Sequence, residues 1–325
     1  MKKILIIQTA FIGDVILATP VVEKLASFYP NAEIDFLLRK GNEGLLANNP
    51  YVHEVLVWDK SKIKYLSLFS LAGVVRRRRY DFVVNLHRFA SSGIISLFSK
   101  ARIIVGFDKN PLSIFYTQTV PHRIDSGHHE VQRNLSLIRD QTDDTFIRPK
   151  IYPAQKDFHK IHPKGKYICI APASVWFTKQ WPVVRWVGFI DKIDREMAVF
   201  LLGGKTDRSF CAQIIKETAH RGAVNLAGEL TFLQSAALMK KAEMNYVNDS
   251  APLHLASAVN APVTALFLST VPDFGFTPLS DCSVVLETTE KLPCRPCGLH
   301  GRDRCPETHF KCAAISTSQL LSTLG

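Results

Sequence analysis

The chain has 325 residues, of which 46% are hydrophobic and 21% charged, and this composition excludes a disordered chain and allows two globular domains. The formal net charge is +11, and most of it lies in the first half of the chain. Such an excess favours a polyanionic partner, namely nucleic acid, an anionic lipid headgroup or a phosphorylated glycan. No apolar run reaches the roughly 18 residues that a membrane helix needs.

The first predicted element is a buried strand in the segment MKKILIIQT. Two lysines followed by apolar residues imitate a signal peptide, but Gln8 and Asp14 interrupt the apolar run, and no convincing cleavage site follows. We therefore expect a cytoplasmic protein that is peripheral to a membrane. Seven cysteines in that compartment indicate free thiols or a metal site rather than disulfides.

A tight turn, TAFIG, joins this strand to a helix that begins near Asp14. Gly13 would permit an unusual backbone angle in the turn. A carboxylate in the first turn of a helix is favoured by the helix dipole, and this structural role is one explanation of Asp14. A lone charge in such an apolar stretch is costly when buried, so a role in a functional site is the other explanation.

Further strands and helices alternate through the first half. The strands are nearly continuous hydrophobic runs, as in a parallel sheet that is covered on both faces. The predicted strands are AEIDFLLR, EVLVWD, DFVVNLH and RIIVGF, and the helical patterns include GDVILATPVVEKLASFY and SSGIISLFSKA. Arg88 follows the strand DFVVNLH, where it can contact a ligand, whereas the run RRRR at 76–79 indicates a solvated face or an anion-binding one.

Residues 147–166 lose this alternation and are rich in Pro and Lys, which predicts a linker. The β/α alternation then resumes, with strands YICIAPAS, MAVFLLGG, AVNLAG, MNYVND and PVTALFL. The predicted helices between them are PVVRWVGFIDKIDRE, DRSFCAQIIKETAHR, TFLQSAALMKKA and SAPLHLASAVN. We therefore predict an α/β fold of two Rossmann-like domains, residues 1–160 and 161–325, that face each other across a cleft.

Polar residues follow several strands of the second half. The loop SVWFTKQWP offers Ser174, Thr178 and Lys179, whose hydroxyls and ammonium suit a diphosphate. In GGKTDRS, Asp207 either accepts hydrogen bonds from a ribose or caps a helix. The junction NDSAPLHLA places Asp249 and Ser250 at a helix N-terminus, which attracts phosphate.

The C-terminal segment PCRPCGLHGRDRCPETHFKC is rich in possible metal ligands. The first two cysteines have the spacing of a zinc knuckle, but the later spacings do not repeat it. The sequence of this segment is compatible with a structural zinc site and with a loop of reduced thiols, and it does not decide between them. The candidate ligands are Cys294, Cys297, Cys305, Cys312, His300 and His309.

Taken together, several stretches resemble glycosyltransferase family 9, the lipopolysaccharide heptosyltransferases. They span nearly the whole chain in the order expected for the family, and the set is specific although each piece alone is not. The stretches are the first strand with FIGDVILATP, then HEVQRNLSLI, APASVWFTKQWP, LAGEL and NDSAPLHLASAVNAPVTALF. The Cys-rich tail also resembles a segment of some heptosyltransferase II-like members.

The resemblance implies a GT-B fold and the transfer of heptose from ADP-heptose, with inversion, to the lipopolysaccharide inner core. It implies a phosphorylated, lipid-linked acceptor at the inner membrane of a Gram-negative bacterium, with no nucleic acid as partner and no cofactor or metal required. It makes Asp14 the catalytic base and has Lys179 stabilise the leaving diphosphate. Arg88 is a candidate acceptor-binding residue because of its position after the strand DFVVNLH, not because of the resemblance. The donor-binding positions would be Gly13, Ser174, Thr178, Asp207, Leu230, Asp249, Ser250, Ala251 and His254.

The sequence departs from the family pattern in three places. Ala251 stands where the family usually has Gly, and Ala171-Pro172 stand where Pro-Gly is frequent. FIGD is also bulkier than the usual residues before the Gly-Asp pair. The first two departures lie near the expected phosphates and keep another nucleotide-sugar donor open.

Three other functions stay open from the sequence alone. A nucleotide-sugar epimerase or dehydrogenase would share the Rossmann-like alternation, but no G-x-G-x-x-G follows the first strand. A zinc-containing nucleic-acid binder would explain the charge and the cysteines, but no nucleic-acid-binding module is recognisable. A family member that binds glycan without catalysis is disfavoured because Asp14 and Lys179 are retained.

Overall fold

The computed structural model describes residues 1–60, 64–124 and 127–324, and for residues 64 and 65 it describes the backbone alone. The chain forms two compact units, Met1–Tyr152 and Pro153–Gly325. The boundary between them lies inside the Pro- and Lys-rich stretch 147–166, a few residues before the predicted boundary after residue 160.

The described residues of the first unit form six strands and four α-helices. The strands are β1 (Lys3–Ile7), β2 (Glu33–Arg39), β3 (Glu54–Trp58), β4 (Phe82–Asn85), β5 (Ile103–Phe107) and β6 (Gln118–Val120). The helices are α1 (Ile12–Phe28), α2 (Lys64–Arg78), α3 (Ala90–Ser99) and α4 (Glu130–Ser136). The strands form one parallel sheet in the order β3-β2-β1-β4-β5-β6.

Helices cover both faces of this sheet, which explains why its central strands are apolar along their whole length. On one face α1 packs against α4, and on the other α2 packs against α3. Helix α1 is buried on every side from Val15 to Leu25. Even Lys24 is fully buried, and its ammonium contacts Asp143 Oδ1 at 2.7 Å and the carbonyl oxygens of Asp143 and Thr145 at 2.7 and 2.6 Å.

The second unit repeats the architecture. Its strands are β7 (Tyr167–Ala171), β8 (Ala198–Leu201), β9 (Ala223–Asn225), β10 (Met244–Asn248), β11 (Val263–Phe267) and β12 (Ser283–Glu287). Its helices are α5 (Gln155–Phe158), α6 (Val183–Ile190), α7 (Arg208–Glu217), α8 (Phe232–Lys240), α9 (Ala251–Ala258) and α10 (Thr317–Leu321). The strands form a parallel sheet in the order β12-β11-β10-β7-β8-β9.

The C-terminal part of the chain belongs to the core of this second unit. Trp181 and Trp186 pack edge to face with ring centroids 4.9 Å apart, and Ile315 and Leu320 lie in the same buried cluster. The Trp181 indole N–H donates to the carbonyl oxygen of Ala313 at 3.2 Å. The last residues therefore stabilise the unit directly.

The predicted α/β class is confirmed, with two parallel six-stranded sheets. Strands β6 and β12 were not predicted. Both are edge strands with partly exposed side chains; β6 has only three residues, QTV, and the apolar run of β12 is limited to residues 284–286. Helix α6 ends at Ile190 rather than near Glu196, because turns lead from it into β8. Within the described residues, no helix combines the length and the apolar character needed to span a lipid bilayer.

Candidate active site

In the first unit, the candidate base Asp14 lies in the first turn of α1, just beyond the carboxyl end of β1. One carboxylate oxygen, Oδ2, accepts a hydrogen bond from the backbone N–H of Phe11 at 3.0 Å. Asp14 therefore does cap the helix, as the structural explanation predicts. The cap uses one oxygen, and the other can accept a proton or a hydrogen bond from a ligand.

Gly13 does not have the unusual backbone angle that the sequence analysis expected. It lies within the regular first turn of α1, and it is not among the glycines with positive φ. The turn is made instead by the extended residue Phe11, with φ −81° and ψ 174°.

The pKa of Asp14 is raised from its usual value to about 6. The main cause is burial, which disfavours the charged carboxylate, and the nearby carboxylate of Glu130 adds to the effect. The Phe11 N–H and the guanidinium of Arg88 act in the opposite direction. A carboxylate with a pKa near 6 is a stronger base than an ordinary aspartate and is still ionised at neutral pH.

Glu130 begins α4 and is held in a buried network. Its carboxylate accepts from Arg133 Nε at 2.7 Å and contacts His122 Nε2 at 3.2 Å. These partners lower the pKa of Glu130 against the effect of burial, so it stays charged. Helix α4 is fixed to α1 by Asn134, whose Nδ2 donates to the carbonyl oxygen of Leu17 at 3.0 Å.

Positive and polar groups surround the neighbouring strand ends. Lys60 Nζ donates to the carbonyl oxygen of Thr9 at 2.8 Å, and the Thr9 hydroxyl contacts His87 Nδ1 at 3.2 Å. Burial, with the charges of Lys60 and Arg88 added, lowers the pKa of His87 to about 4, so its imidazole is neutral at physiological pH. Arg88 is exposed beside this group and stacks on the Phe89 ring at 5.2 Å.

In the second unit, Lys179 and Asp249 form a largely buried ion pair, with 2.6 Å between Nζ and Oδ2. The hydroxyl of Thr270 donates to the same carboxylate oxygen at 2.6 Å. Lys179 follows β7, Asp249 follows β10, and Thr270 follows β11, which are neighbours in the sheet. The sheet order thus brings together three loops that are distant in sequence, at the edge where parallel sheets bind ligands.

Helix α9 begins directly after Asp249. Ser250 is its extended N-cap residue, and the Ser250 hydroxyl contacts the carbonyl oxygen of Asn248 rather than capping the helix. Ala251 is the first helical residue and is half-buried. His254 lies one turn further, buried, with its ring 6.4 Å from that of Phe276. Ser250, Ala251 and His254 therefore share one helix start with Asp249.

Two predicted residues of the loop after β7 have structural contacts. The Ser174 hydroxyl accepts from the backbone N–H of Trp176 at 3.4 Å. Thr178 is buried, and its hydroxyl accepts from the backbone N–H of Arg302 at 2.8 Å, while its own N–H donates to the Arg302 carbonyl at 3.0 Å. Thr178 thus ties the Lys179 loop to the C-terminal segment.

The other two predicted donor residues follow β8 and β9. Asp207 caps the turn after β8, because its Oδ2 accepts from the Gly204 N–H at 2.8 Å, which is the structural alternative considered for it. Leu230 is half-buried and directly precedes Thr231, the N-cap residue of α8. Neither residue contacts the Lys179–Asp249 pair through a hydrogen bond or ion pair among the described residues.

The chain is similar to proteins of one family along most of its length. The family model described as glycosyltransferase family 9 (heptosyltransferase) matches residues 68–300. The chain belongs to this family. It is 28% identical to lipopolysaccharide heptosyltransferase 3 of Escherichia coli over 80% of this chain and 82% of that protein.

Solved structures show the same fold for this family 9 glycosyltransferase. The family 9 glycosyl transferase from Veillonella parvula matches with a TM-score of 0.84 and 21% identity, over 99% of this chain and 95% of that chain. The ADP-heptose lipopolysaccharide heptosyltransferase II of E. coli matches with a TM-score of 0.82 and 22% identity, over 100% and 97%. At these identities the likeness supports the fold alone.

The Cys-rich segment, residues 294–312, braces the candidate site of the family 9 enzyme. Arg295 donates to the carbonyl oxygens of Leu268 at 2.6 Å and Thr270 at 2.8 Å, and Cys297 N–H donates to the Ser269 carbonyl at 2.7 Å. These contacts fix the loop that carries Thr270. The contacts of Arg302 with Thr178 fix the Lys179 loop in the same way.

Among the described residues, the cysteines and histidines of this segment do not bring three possible ligand atoms within 4.8 Å of one another. All seven cysteines, each among the described residues, are free thiols, and Cys294 Sγ lies 3.9 Å from His309 Nε2. Within the described parts of the chain, three possible ligand atoms come together only at Asp35, His53 and Glu54. There the guanidinium of Arg78 already contacts both carboxylates, at 2.9 and 2.7 Å.

Sequence reasoning missed several residues of the site. Glu130 lies inside a stretch that supported the family resemblance, but its effect on Asp14 depends on the packing of α4 against α1. Thr270 and Arg295 follow no motif, and their partners are other loops of the same unit. The sequence did indicate the positions of Lys60 and His87, because Lys60 follows the predicted strand EVLVWD and His87 ends the predicted strand DFVVNLH.

Proposed function

We propose that this glycosyltransferase transfers heptose from ADP-heptose to the inner core of lipopolysaccharide, with inversion at the anomeric carbon. The observation that carries the proposal is Asp14, a carboxyl group beyond the end of β1 with a pKa of about 6. Such a group is suited to general base catalysis at neutral pH. The named function of the relatives and the family membership support the sugar and the acceptor class.

In the proposed reaction, the Asp14 carboxylate takes the proton from an acceptor hydroxyl as that oxygen attacks the anomeric carbon. The bond between the anomeric carbon and the diphosphate oxygen breaks on the opposite face, and ADP leaves with the bonding electron pair. One carboxylate suffices because ADP is a good leaving group. In this proposal the first unit contributes Asp14 and the second unit contributes Lys179.

The donor side of the proposal rests on the ion pair of Lys179 with Asp249. An ammonium has three N–H donors, so Lys179 can contact Asp249 and still donate to a diphosphate oxygen. The start of α9 at Ser250 adds the partial positive charge of a helix N-terminus. Since these groups stabilise the charge that develops on ADP, we expect no metal requirement.

The acceptor side rests on the charge of the first unit. Lys60 and Arg88 lie beyond the strand ends near Asp14 and suit a phosphorylated glycan. We propose that this acceptor is held by lipid at the inner-membrane surface. Nucleic acid is not part of the proposed function.

The donor is tested by thermal unfolding with ADP, UDP, GDP and ADP-heptose in turn. A ligand at 100 times its dissociation constant stabilises the folded chain by about 2.7 kcal/mol, which is easily measured. Stabilisation by ADP and ADP-heptose alone supports the proposal, and the wild-type chain should then glycosylate a heptose-deficient core while Asp14→Asn does not. An Asp14→Asn variant with near-full activity contradicts the mechanism.

A different nucleotide sugar is the second candidate donor. Ala251 at the start of α9 and Ala171-Pro172 at the end of β7 replace glycines that the family usually has near the phosphates. The methyl group of Ala251 and the ring of Pro172, each in place of a glycine, change how closely a diphosphate can approach the backbone. Stabilisation by UDP or GDP rather than ADP would favour this candidate and leave the proposed chemistry of Asp14 unchanged.

A further inference from the structure

The charge of the first unit is concentrated in one part of the chain. Residues 60–107 contain ten Lys and Arg residues and a single acidic residue, Asp81. The carboxylate of Asp81 accepts hydrogen bonds from the backbone N–H groups of Lys2 and Lys3, at 2.7 and 3.1 Å, so its charge is already engaged. Helices α2 and α3 lie in this stretch and contain no acidic residue at all.

The two helices pack side by side and expose large apolar side chains. Phe69 of α2 and Phe98 of α3 contact each other edge to face, with ring centroids 6.0 Å apart. Both rings are nevertheless about half exposed, at 52% and 46%, and Leu66 is 66% exposed one turn before Phe69. These side chains lie over the contact between α2 and α3 and are themselves exposed to solvent.

A turn after β5 extends this apolar surface on the other flank of α3. Leu112 packs against Gly93 so closely that a Cβ atom on Gly93 would lie 3.0 Å from the Leu112 Cβ. Gly93 and Phe98 are five residues apart, which places them about 140° apart around the helix. The turn then presents Ile114, 80% exposed, and Phe115, 63% exposed.

Exposed basic residues lie at the ends of the same helices. Arg76, Arg77 and Arg79 are exposed at the end of α2, and Lys100 and Arg102 are exposed just after α3. Arg78 differs, because its guanidinium is paired with Glu54 and Asp35. We call the exposed surface of α2, α3 and the turn 112–115, with these basic residues, the α2–α3 face.

We propose that the α2–α3 face is a docking surface for an anionic lipid bilayer. Exposed aromatic and aliphatic side chains with basic residues around them are what interfacial membrane binding requires, since the apolar groups enter the headgroup region and the cations contact anionic lipids. A second copy of the chain fits less well, because two faces that carry only positive charge repel each other. Nucleic acid would match the charge but would leave Leu66, Phe69 and Ile114 in water.

This inference deepens the proposed function, whose acceptor is lipid-held, but it is tested without that acceptor. The purified full chain is sedimented with vesicles of phosphatidylcholine alone, or with phosphatidylglycerol added, at low and high salt. We expect binding that requires phosphatidylglycerol and weakens with salt. Equal binding to both vesicle types, or none to either, contradicts the proposal.

Two pairs of substitutions locate the surface. Lys100→Gln with Arg102→Gln should weaken binding to anionic vesicles roughly 30-fold, since each cation near the surface contributes on the order of 1 kcal/mol. Ile114→Ser with Phe115→Ser should weaken it at least tenfold, by removing apolar groups that insert. Both pairs change exposed residues, and circular dichroism and unfolding temperature verify the fold.

The matched control lies on the second unit. Val184 in α6 is 70% exposed and Arg185 beside it is exposed, so Val184→Ser with Arg185→Gln removes one apolar group and one charge elsewhere. The control should bind vesicles like the wild-type chain. A control that loses as much binding as the face variants would show general adhesion by net charge and overturn the proposed surface.

Other occupants of the α2–α3 face give distinct results. Retention on DNA without vesicle binding, or a dimer that the Ile114 and Phe115 substitutions dissociate, overturns the membrane assignment. Transfer to a water-soluble, deacylated acceptor separates the two proposals, because the face variants should retain it. If even the wild-type chain lacks transfer, the proposed function fails while the vesicle result still decides the docking surface.

Discussion

Gly301 offers a direct test of whether the Cys-rich segment positions Lys179. Gly301 has φ +85°, and a Cβ atom added there would lie 3.1 Å from Thr178 Oγ1, 3.2 Å from Lys179 Cγ and 3.2 Å from Trp176 Cβ. Gly298 has a similar φ of +81°, but a Cβ atom there would meet nothing within 4 Å. Alanine at position 298 therefore tests backbone strain alone, whereas alanine at position 301 tests backbone strain together with displacement of the Lys179 loop.

Both Gly→Ala variants should lose about 1–2 kcal/mol of stability, because alanine is strained in the left-handed region. This loss lowers the unfolding temperature of the second unit by a few degrees. Only Gly301→Ala should also lower kcat, because its neighbours must move by a few tenths of an ångström and Lys179 is one of them. Since a misplacement of 1 Å can cost about 100-fold, we expect roughly a three- to tenfold decrease.

The assay compares steady-state kcat and thermal unfolding for wild type, Gly298→Ala and Gly301→Ala. Thr178→Ser and Thr178→Val form a second matched pair, because serine keeps the hydroxyl that accepts from the Arg302 N–H and valine does not. If Gly301→Ala and Gly298→Ala have the same kcat, or if Thr178→Val turns over like Thr178→Ser, the segment does not position Lys179.

The remaining predictions concern pKa and burial. Below pH about 6 the carboxylate of Asp14 is protonated, so kcat/KM should fall as the pH is lowered through this value. Arg88→Gln removes a nearby positive charge that lowers the pKa of Asp14, so in this variant kcat/KM should begin to fall at a higher pH. Because the folded-state pKa of Asp14 is raised, this group binds more protons in the folded than in the unfolded chain, and its contribution to stability is lost as pH rises from about 4 to 6. Asp14→Asn should therefore be inactive yet more stable than wild type at pH 8, by about 2–3 kcal/mol, with the difference vanishing near pH 4 in urea titrations. Lys24→Ala should lower the stability of the folded chain by about 3 kcal/mol or more, because it leaves a buried space and two unpaired carbonyl oxygens. The control Lys3→Ala removes an exposed ion pair with Glu33 and should lower stability by less than about 1 kcal/mol in the same titration.

Much of the fold could be predicted because local patterns specify it. The run ILII gave β1, and the alternation of apolar strands with helical patterns gave the parallel class of both sheets. The same reasoning failed for β6 and β12, since an edge strand does not need apolar residues on both faces. The end of α6 was also misjudged, because the apolar spacing continues into turn residues that are not helical.

Site residues could be predicted only where a side chain with suitable chemistry directly follows a recognisable strand. Lys179 and Asp249 each follow a recognisable strand, so their place at the sheet edge could be expected, but their pairing depends on β10 lying next to β7. For Asp14 the sequence predicted the position but did not decide between two roles. The sequence left a cap and a base as alternatives. The structure shows the cap, and burial and Glu130 raise the pKa of the same carboxyl group, which supports the proposed role as a base.

The role of the Cys-rich segment also follows from its packing rather than from its local sequence pattern. Its cysteines are possible metal ligands, but its hydrogen bonds to the site loops are made by the side chain of Arg295 and by the backbone of Cys297 and Arg302. These residues contact the loops after β7 and β11, which flank the strand that carries Asp249. A loop that binds a diphosphate must be rigid when the charge develops, because a displaced cation stabilises the leaving group less. Backbone hydrogen bonds from a segment anchored in the core by Cys312 and Ile315 supply that rigidity, and they do so whatever the state of the thiols.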